Sequence, residues 1–493
     1  MHNRRKFLKL SASSYTLALF PSLFGCGGSS SNQTVTTNSL PSTPSSQTWQ
    51  STHPYLVGNH YPIFDEISLS NIAVIGAIPS DLHGAYFRNG PNQKYEPIQF
   101  THPFDGDGMI HGLYFQDGQV HYKNRWVQTQ GLIDENKQNH AIYKTFEKNT
   151  SNTHVIPFNG QLLSLYEGGL PYLLDNQLNT LGIFDFDQHL EHKMIAHPKI
   201  DPDTNELIFA RYYMQTEPLL TYFRVSADGE LLTKVAIDIP HPNMVHDIAI
   251  TKNYAVFVIT PVSWDKSRQE MVWLSNTNCE LIVVDKHTGE KLYNIPMPTF
   301  FFWHFQNCYE DNIGENIVFD IVQYSGPTFS MRNAPGASIS SLSRYKANLN
   351  TLQIHTTNMS KDSMEFPIIP PALVGKKYRY AYAPVRDYND RPYVAYYAKL
   401  AQFDMENETT ILRDFGNQRY VGEVTFAPKK DAIDPEDGYI IVAVFDANSN
   451  KTDVLILNSL DFLGPPIATV KLPTRIPNGF HGSWAEGVTF DPI

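Results

Sequence analysis

One motif recurs at nearly constant spacing beyond residue 52: an apolar strand, a polar turn and a second strand. It reads Leu113-Tyr-Phe-Gln-Asp-Gly-Gln-Val, then Tyr172-Leu-Leu-Asp-Asn-Gln-Leu-Asn, Tyr222-Phe-Arg-Val-Ser-Ala-Asp-Gly and Leu281-Ile-Val-Val-Asp-Lys-His-Thr-Gly. Weaker copies begin at Leu342, Leu400 and Val454, so successive starts differ by 59, 50, 59, 61, 58 and 54 residues. Each unit has the length of a large four-stranded blade, and each copy has the form of a blade's outer hairpin, turning through Asp-Gly or Asn. The expected fold class is all-β, a seven-bladed β-propeller. A sandwich or a multidomain β protein also contains hairpins; regular spacing from 113 to 454 favours the propeller.

Composition narrows the function. Hydrophobic residues make up 42% and aromatic residues 13% of the 493, enough to fill a large core, while 18% charged residues argues against disorder. A net charge of -12 excludes a nucleic-acid partner, which needs concentrated Lys and Arg. The short pair Lys376-Lys377 reads as a solvated loop. Three cysteines, Cys26, Cys279 and Cys308, are too few and too scattered for a disulfide framework or a cysteine-rich zinc site. Any metal must therefore be held by histidines and carboxylates.

The N-terminus reads as an address. Arg4-Arg5 precedes the short apolar stretch Leu10 to Phe24, the pattern of a bacterial twin-arginine export signal over 1–26. The run is too short for an ordinary membrane span and ends at Leu23-Phe24-Gly25-Cys26, which resembles a lipoprotein processing site with Cys26 lipidated. The Ser-, Thr- and Pro-rich segment 27–51 cannot bury a core and reads as a tether. A folded domain over 52–493 follows. These features imply a periplasmic protein with two alternatives: lipid-anchored and in peripheral contact with a membrane, or simply cleaved and released.

Four of the eighteen histidines stand out. His53, His60, His102, His121, His140 and His192 sit in polar context and read as surface residues. His197 lies in Ala196-His197-Pro198-Lys199, and His246 opens a strand-like run, Met244-Val-His-Asp-Ile-Ala-Ile250. His304 is enclosed by Phe300-Phe-Phe-Trp303 and Phe305, and His481 lies in Asn478-Gly-Phe-His-Gly482. Their separations, 49, 58 and 177 residues, are one, one and three repeat units. Histidines at equivalent points of successive blades converge on the propeller axis, and neutral imidazole binds Fe, Zn, Cu and Ni. Such a site keeps the full charge of a divalent ion, so carboxylates are needed behind the ligands. Glu167, Glu365 and Glu423, each in apolar context, are the candidates.

The segments Gly84-Ala-Tyr-Phe-Arg-Asn-Gly-Pro-Asn92, Phe104-Asp-Gly-Asp-Gly-Met-Ile-His-Gly112 and Tyr122-Lys-Asn-Arg-Trp-Val127 resemble the signature of carotenoid cleavage oxygenases. The resemblance continues through Glu167-Gly-Gly-Leu-Pro171, His197-Pro198, His246-Asp247, Glu365-Phe-Pro367 and Asn478-Gly-Phe-His-Gly482, covering nearly all of 60–491. It implies a seven-bladed propeller capped by a dome of loops and short helices, with one Fe(2+) per subunit on His197, His246, His304 and His481. It also implies Glu167 behind His246, Glu365 behind His304 and Glu423 behind His481, leaving His197 without a carboxylate. Thr153 matches a residue whose methyl crowds an open iron position. His111 lies in the signature without being a ligand and reads as structural. Asp105 and Asp107 are not a calcium loop, because position five is Met109 and no Glu follows at position twelve.

The implied chemistry is cleavage of a C=C bond of a carotenoid or apocarotenoid by O2, giving two carbonyl products. Stilbene cleavage by a lignostilbene-type dioxygenase is the alternative. Its phenol-binding Lys is expected soon after the Arg125-Trp126-Val127 motif, yet no Lys occurs before Lys137. A metal-bearing propeller without catalysis is the reading from another class. The complete set of four His and three Glu weighs against it.

Overall fold

Short runs rich in Val, Ile, Tyr and Phe, broken by Asp, Asn and Gly, form strands almost throughout the chain. The computed structural model describes residues 49, 56–98, 104–144, 147–311, 314–329, 334, 339–386 and 396–491. The export signal with Cys26, and the tether apart from Trp49, lie outside the described residues. Within them the protein is all-β but for one α-helix, Gln130–Gln138, and short 3-10 turns. The Thr129 hydroxyl caps that helix by accepting from the Leu132 N–H at 3.2 Å, and Asn139 ends it in the left-handed region. No helix among the described residues is long and apolar enough to cross a membrane.

The strands pair in antiparallel meanders. His154–Phe158, Gln161–Leu165, Tyr172–Leu174 and Thr180–Ile183 form one four-stranded sheet. Lys199–Ile200, Leu207–Tyr212, Leu220–Val225 and Leu231–Ile237 form the next. Ala249–Ile250, Tyr254–Ile259, Cys279–Asp285 and Lys291–Met297 follow, then Phe301–Asp311, Asn316–Tyr324, Ser341–Asn348 and Gln353–Ser360. Tyr380–Arg386, Tyr397–Asp404 and Thr409–Asp414 join the meander Arg419–Pro428, Gly438–Asp446, Lys451–Asn458 and Ala468–Lys471 through a single pair, Tyr397 opposite Val421. All seven runs read from the sequence lie in a strand that hairpins onto its successor. The first, between Gly108–Gln116 and Gln119–Trp126, turns through Asp117 and Gly118 with both φ positive (52° and 72°), the twist a two-residue hairpin requires.

Burial grades outward along each meander. Leu207–Tyr212 is buried on both faces, whereas Leu231–Ile237 and Thr409–Asp414, each last in its meander, alternate between half-buried or buried and exposed. Inner strands are covered on two sides by neighbouring sheets, and the last strand presents one face to water. Side chains such as Phe209, Phe223 and Phe257 are fully buried, each contributing roughly 1.5–3 kcal/mol by leaving water.

The two ends of the described chain pair with each other in two sheets. Gly482–Glu486 pairs with Gly84–Pro91, placing Gly482 opposite Arg88, and Val74–Gly76 pairs with Ala468–Lys471. This pairing positions His481: its carbonyl accepts from the Asn89 N–H at 3.0 Å and its own N–H donates to the Thr153 carbonyl at 3.1 Å. The approach needs glycine. A Cβ on Gly90 would lie 2.5 Å from Gly479 Cα, and one on Gly479 would lie 2.6 Å from the Asn89 carbonyl oxygen.

Candidate metal centre

The singled-out histidines sit where first strands begin. His197 precedes Lys199–Ile200 by two residues and His246 precedes Ala249–Ile250 by three, so it stands ahead of its strand rather than opening it. His481 immediately precedes Gly482–Glu486. His304 lies within Phe301–Asp311, at a register shift between Phe302 and Phe305 that turns its side chain out of the regular alternation. Glu423 occupies a similar shift, between Val421 and Val424. Glu167 and Glu365 lie just outside strands, not within them as their apolar context suggested.

These segments bring the four rings together. His197 is the hub: its ring centre lies 4.4 Å from that of His246, 4.5 Å from His481 and 4.8 Å from His304. His246 and His304 are 5.2 Å apart, and His304 and His481 4.9 Å. All four are buried. Ring nitrogens of His197, His304 and His481 fall within 4.8 Å of one another, the spacing of a three-histidine metal site.

Three rings are held from behind. His246 Nδ1 donates to Glu167, which also accepts from the Tyr212 hydroxyl. His304 Nδ1 donates to Glu365 at 2.5 Å, and that carboxylate accepts from the Phe366 N–H at 2.7 Å and the Tyr324 hydroxyl at 3.0 Å. His481 Nδ1 donates to Glu423 at 2.7 Å, with the Gly482 N–H on the other oxygen at 2.7 Å. With Nδ1–H fixed by a carboxylate, Nε2 is left as a lone pair, the form a metal requires. No carboxylate bonds to His197 among the described residues.

The electrostatics agree. Burial, reinforced by the neighbouring histidines, pushes His197 and His481 well below the ordinary imidazole range, so both are neutral at physiological pH. Burial acts to raise Glu167 and Glu365, but His246 and His304 outweigh it by charge and hydrogen bond, holding both carboxyls below their usual range. Burial dominates at Glu423 and lifts it to about 7.

The donor set fits a divalent transition metal. Nε2 of His197 and Nε2 of His304 are buried with no hydrogen-bond partner, and converging imidazole lone pairs repel unless a cation lies between them. Three carboxylates behind the rings supply negative charge that imidazole donors lack.

The family model for retinal pigment epithelial membrane protein (RPE65) matches residues 61–486. The chain belongs to this family, that of the carotenoid cleavage oxygenases. Carotenoid 9,10(9′,10′)-cleavage dioxygenase 1 of Arabidopsis thaliana is 30% identical over 486 residues, covering 87% of this chain and 89% of that protein. The crystal structure of Pseudomonas brassicacearum lignostilbene dioxygenase superposes with a TM-score of 0.83 at 26% identity, over 90% of this chain and 100% of that one. Cobalt-substituted Synechocystis apocarotenoid oxygenase superposes at 0.75 with 27% identity, over 86% and 96%.

The other residues singled out in this carotenoid oxygenase relative fall as follows. Thr153 adjoins the centre through its carbonyl, which accepts from the His481 N–H at 3.1 Å; its hydroxyl donates to Asn152 Oδ1 at 3.1 Å. His111 is buried, with Nδ1 2.7 Å from the Tyr122 hydroxyl oxygen. Asp107 is held by Lys148 Nζ at 2.7 Å. His140 and His192 are exposed, His60 is half-buried, and His53 and His102 lie outside the described residues; His121 is not a surface residue but is buried and stacked on Phe490, ring centres 4.7 Å apart. Its polar neighbours in sequence concealed an inward-facing strand position.

Sequence reasoning missed two features. His154 lies beside the centre, 5.2 Å from His481 and 6.0 Å from His197 between ring centres, with burial lowering it to about 4. Only its place at the start of a first strand, equivalent to the ligands, signalled this. The second is a cavity lined by Tyr95, Phe104, Asp107, Glu135, Lys148 and Tyr166. Aromatic contacts link it to the centre: Phe104 to Trp303 at 6.0 Å and Trp303 to His246 at 4.6 Å. Lys148 bridges Asp107 at 2.7 Å and Glu135 at 2.5 Å. Burial acts to lower Lys148, but the two carboxylates outweigh it and keep it charged.

Proposed function

We propose that this protein is an iron-dependent dioxygenase that cleaves a C=C bond of a carotenoid or apocarotenoid to carbonyl products. The carrying observation is the buried cluster of His197, His304 and His481, with His246 against it and carboxylates behind three of the four rings. Similarity to the Arabidopsis and Synechocystis enzymes names the chemistry. Fe(II) held by the four histidines supplies the redox chemistry that lets O2 react with an alkene.

The chain's own residues have the remaining tasks. Glu167, Glu365 and Glu423 orient His246, His304 and His481 and offset the ion's charge. Thr153 narrows one open position with its methyl. Trp303, Phe104 and Phe480 form an apolar wall beside the centre, Phe104 lying 5.2 Å from Phe480, suited to hold a polyene and exclude water.

The charged groups near the cavity bear on the choice of substrate. Asp107, Glu135 and Lys148 sum to one negative charge, and the only ammonium in the triad is already shared by two carboxylates. Lys144 lines the same cavity, so the cavity by itself does not separate a phenolate from a neutral substrate. Lys137, the first Lys after the Trp126 motif, is exposed and paired with Asp134 at 3.0 Å. The exposed, paired Lys137 supports an apocarotenoid over a phenolic stilbene.

The architecture belongs to the same reading: a seven-bladed propeller over 52–493 with the metal on its axis under a dome of loops, one Fe(2+) per subunit. The succession of antiparallel meanders and the pairing of the first described strands with the last support it. Residues 1–26 would direct twin-arginine export to the periplasm and 27–51 would tether the domain, with Cys26 as lipid anchor bringing it to a membrane that holds its substrate. Cys26→Ser should then move the protein to the soluble fraction; unchanged membrane association overturns the anchor.

The function is tested by loading iron anaerobically and offering apocarotenals and hydroxystilbenes side by side with O2, with mass spectrometry of the products. Cleavage of an apocarotenal that disappears in His304→Ala is expected. Preferential cleavage of a stilbene overturns the substrate assignment, and one metal per chain without cleavage favours a non-catalytic metal protein.

A further inference from the structure

We propose that His154 is the positioning residue for His197, taking the place of the carboxylate that the other three histidines have. The inference rests on the metal-centre reading above.

His197 is the hub of the cluster, yet neither of its ring nitrogens has a hydrogen-bond partner among the described residues, and its Nε2 is fully buried. With no partner behind the ring, its backbone and the rings packed around it are what hold it. The peptide just before it is Ala196–His197, and the Ala196 carbonyl oxygen lies 3.0 Å from His154 Nδ1. A carbonyl only accepts, so Nδ1 carries the proton and donates. Ala196 is fully buried, and its N-terminal neighbour Ile195 donates its N–H to the Ala210 carbonyl at 3.0 Å. His154 thus supplies the bond on the ligand side of a segment already tied to the sheet behind it.

His154 is itself braced. Its carbonyl accepts from Asn89 Nδ2 at 3.2 Å, and the same amide reaches the Ser151 carbonyl at 3.0 Å and Ser164 Oγ at 3.1 Å. Asn89 also holds the His481 carbonyl, and Thr153, the residue before His154, accepts from the His481 N–H. One short segment, 153–154, therefore sets the backbone of His481 directly and that of His197 through an imidazole. Its ring packs 5.2 Å from His481 and 6.0 Å from His197, farther from that hub than His246, His481 or His304 at 4.4, 4.5 and 4.8 Å, so it stands beside the cluster.

The test separates the bond from the bulk of the ring. Asn and Leu are nearly isosteric, and only Asn can present an N–H where Nδ1 stands. The full chain loaded with Co(II) or Fe(II) is challenged with excess chelator, and the rate of metal loss is followed together with the Co(II) visible spectrum. Partners behind metal ligands typically contribute 10- to 100-fold in affinity. His154→Leu should accordingly lose metal at least about 10-fold faster, with a shifted Co(II) spectrum. His154→Asn should stay within about 3-fold of the parent, with the parent spectrum. If His154→Leu does not fold, judged by circular dichroism, His154→Phe takes its place as the ring-shaped variant without a donor. Parent-like metal loss in the donor-free variant overturns the proposal, as does an Asn variant as impaired as Leu. A parent protein that binds no metal overturns both this proposal and the metal-centre reading; tight binding that is indifferent to residue 154 overturns this proposal alone.

Discussion

Glu365→Gln isolates the charge behind a ligand with little change in shape. His304 Nδ1–H and the Phe366 N–H both meet Glu365 Oε2, while the Tyr324 hydroxyl meets Oε1. A Gln amide can place its oxygen at the first position and its NH2 at the second, where the Tyr324 hydroxyl turns to accept. The hydrogen-bond count is kept and only the negative charge is lost. A hydrogen bond to a charged group contributes about 1.5–3 kcal/mol against about 1 for a neutral one. The loss at His304 is therefore about 1–2 kcal/mol, or roughly a 5- to 30-fold weaker metal Kd. Competition against a chelator of known affinity, done anaerobically with Fe(II) or with Co(II), measures this directly. The stability of the metal-free protein in denaturant unfolding should fall by no more than about 1 kcal/mol, because three hydrogen bonds persist and only the Tyr324 O–H must find a new acceptor. An unchanged metal Kd refutes the electrostatic role given to Glu365. A metal-free protein destabilised as much as its metal affinity falls shows that the carboxylate acts structurally instead.

Gly479→Ala should destabilise the fold by about 1–3 kcal/mol in denaturant unfolding, since its Cβ would meet the Asn89 carbonyl at 2.6 Å. Metal loss should quicken with it, because the displaced segment carries His481; parent-like values of both would show that the close approach is not needed. His111 gives a pH dependence: burial, with Arg88 and Arg475 nearby, lowers it from 6.5 to about 3. Its unfolded form therefore binds a proton that the folded form refuses, so stability is complete above about pH 6.5. It then falls by up to about 1.4 kcal/mol per pH unit on the way down to 3. Urea unfolding of metal-free protein across that range should show a shallower slope in His111→Gln, and an identical slope would remove His111 from the account. His304→Ala should bind less than about a tenth of the parent's metal under the same loading, measured by elemental analysis, because three imidazoles and no replacement donor remain.

Much of this was legible in the sequence because repetition carries geometry. Hairpins such as Leu113 to Val120 announce themselves through an Asp-Gly turn between β-branched and aromatic runs, and their spacing located equivalent positions, which selected His197 and His246. The bulge at His304 was not legible, since an irregular register depends on how Asn316–Tyr324 pairs with it, not on local sequence. His121 was misread because polar neighbours suggest exposure, whereas a strand between two covered sheets buries both faces. Lys148 escaped notice for a related reason. It is distant in sequence from Asp107 and follows Glu135 by thirteen residues, so only the folded chain reveals the triad. His154 carried its signal in its position, as the first residue of a first strand, but its neighbour Thr153 matched a family motif and drew the reading.

Cleavage of an apocarotenal under 18O2 by the iron-loaded enzyme, with the aldehydes trapped by rapid reduction before exchange with water, tests the central claim most directly. A dioxygenase acting at the four-histidine centre gives two products that each carry one 18O. Label in one product only, in neither, or in products that still form with His304→Ala, contradicts it.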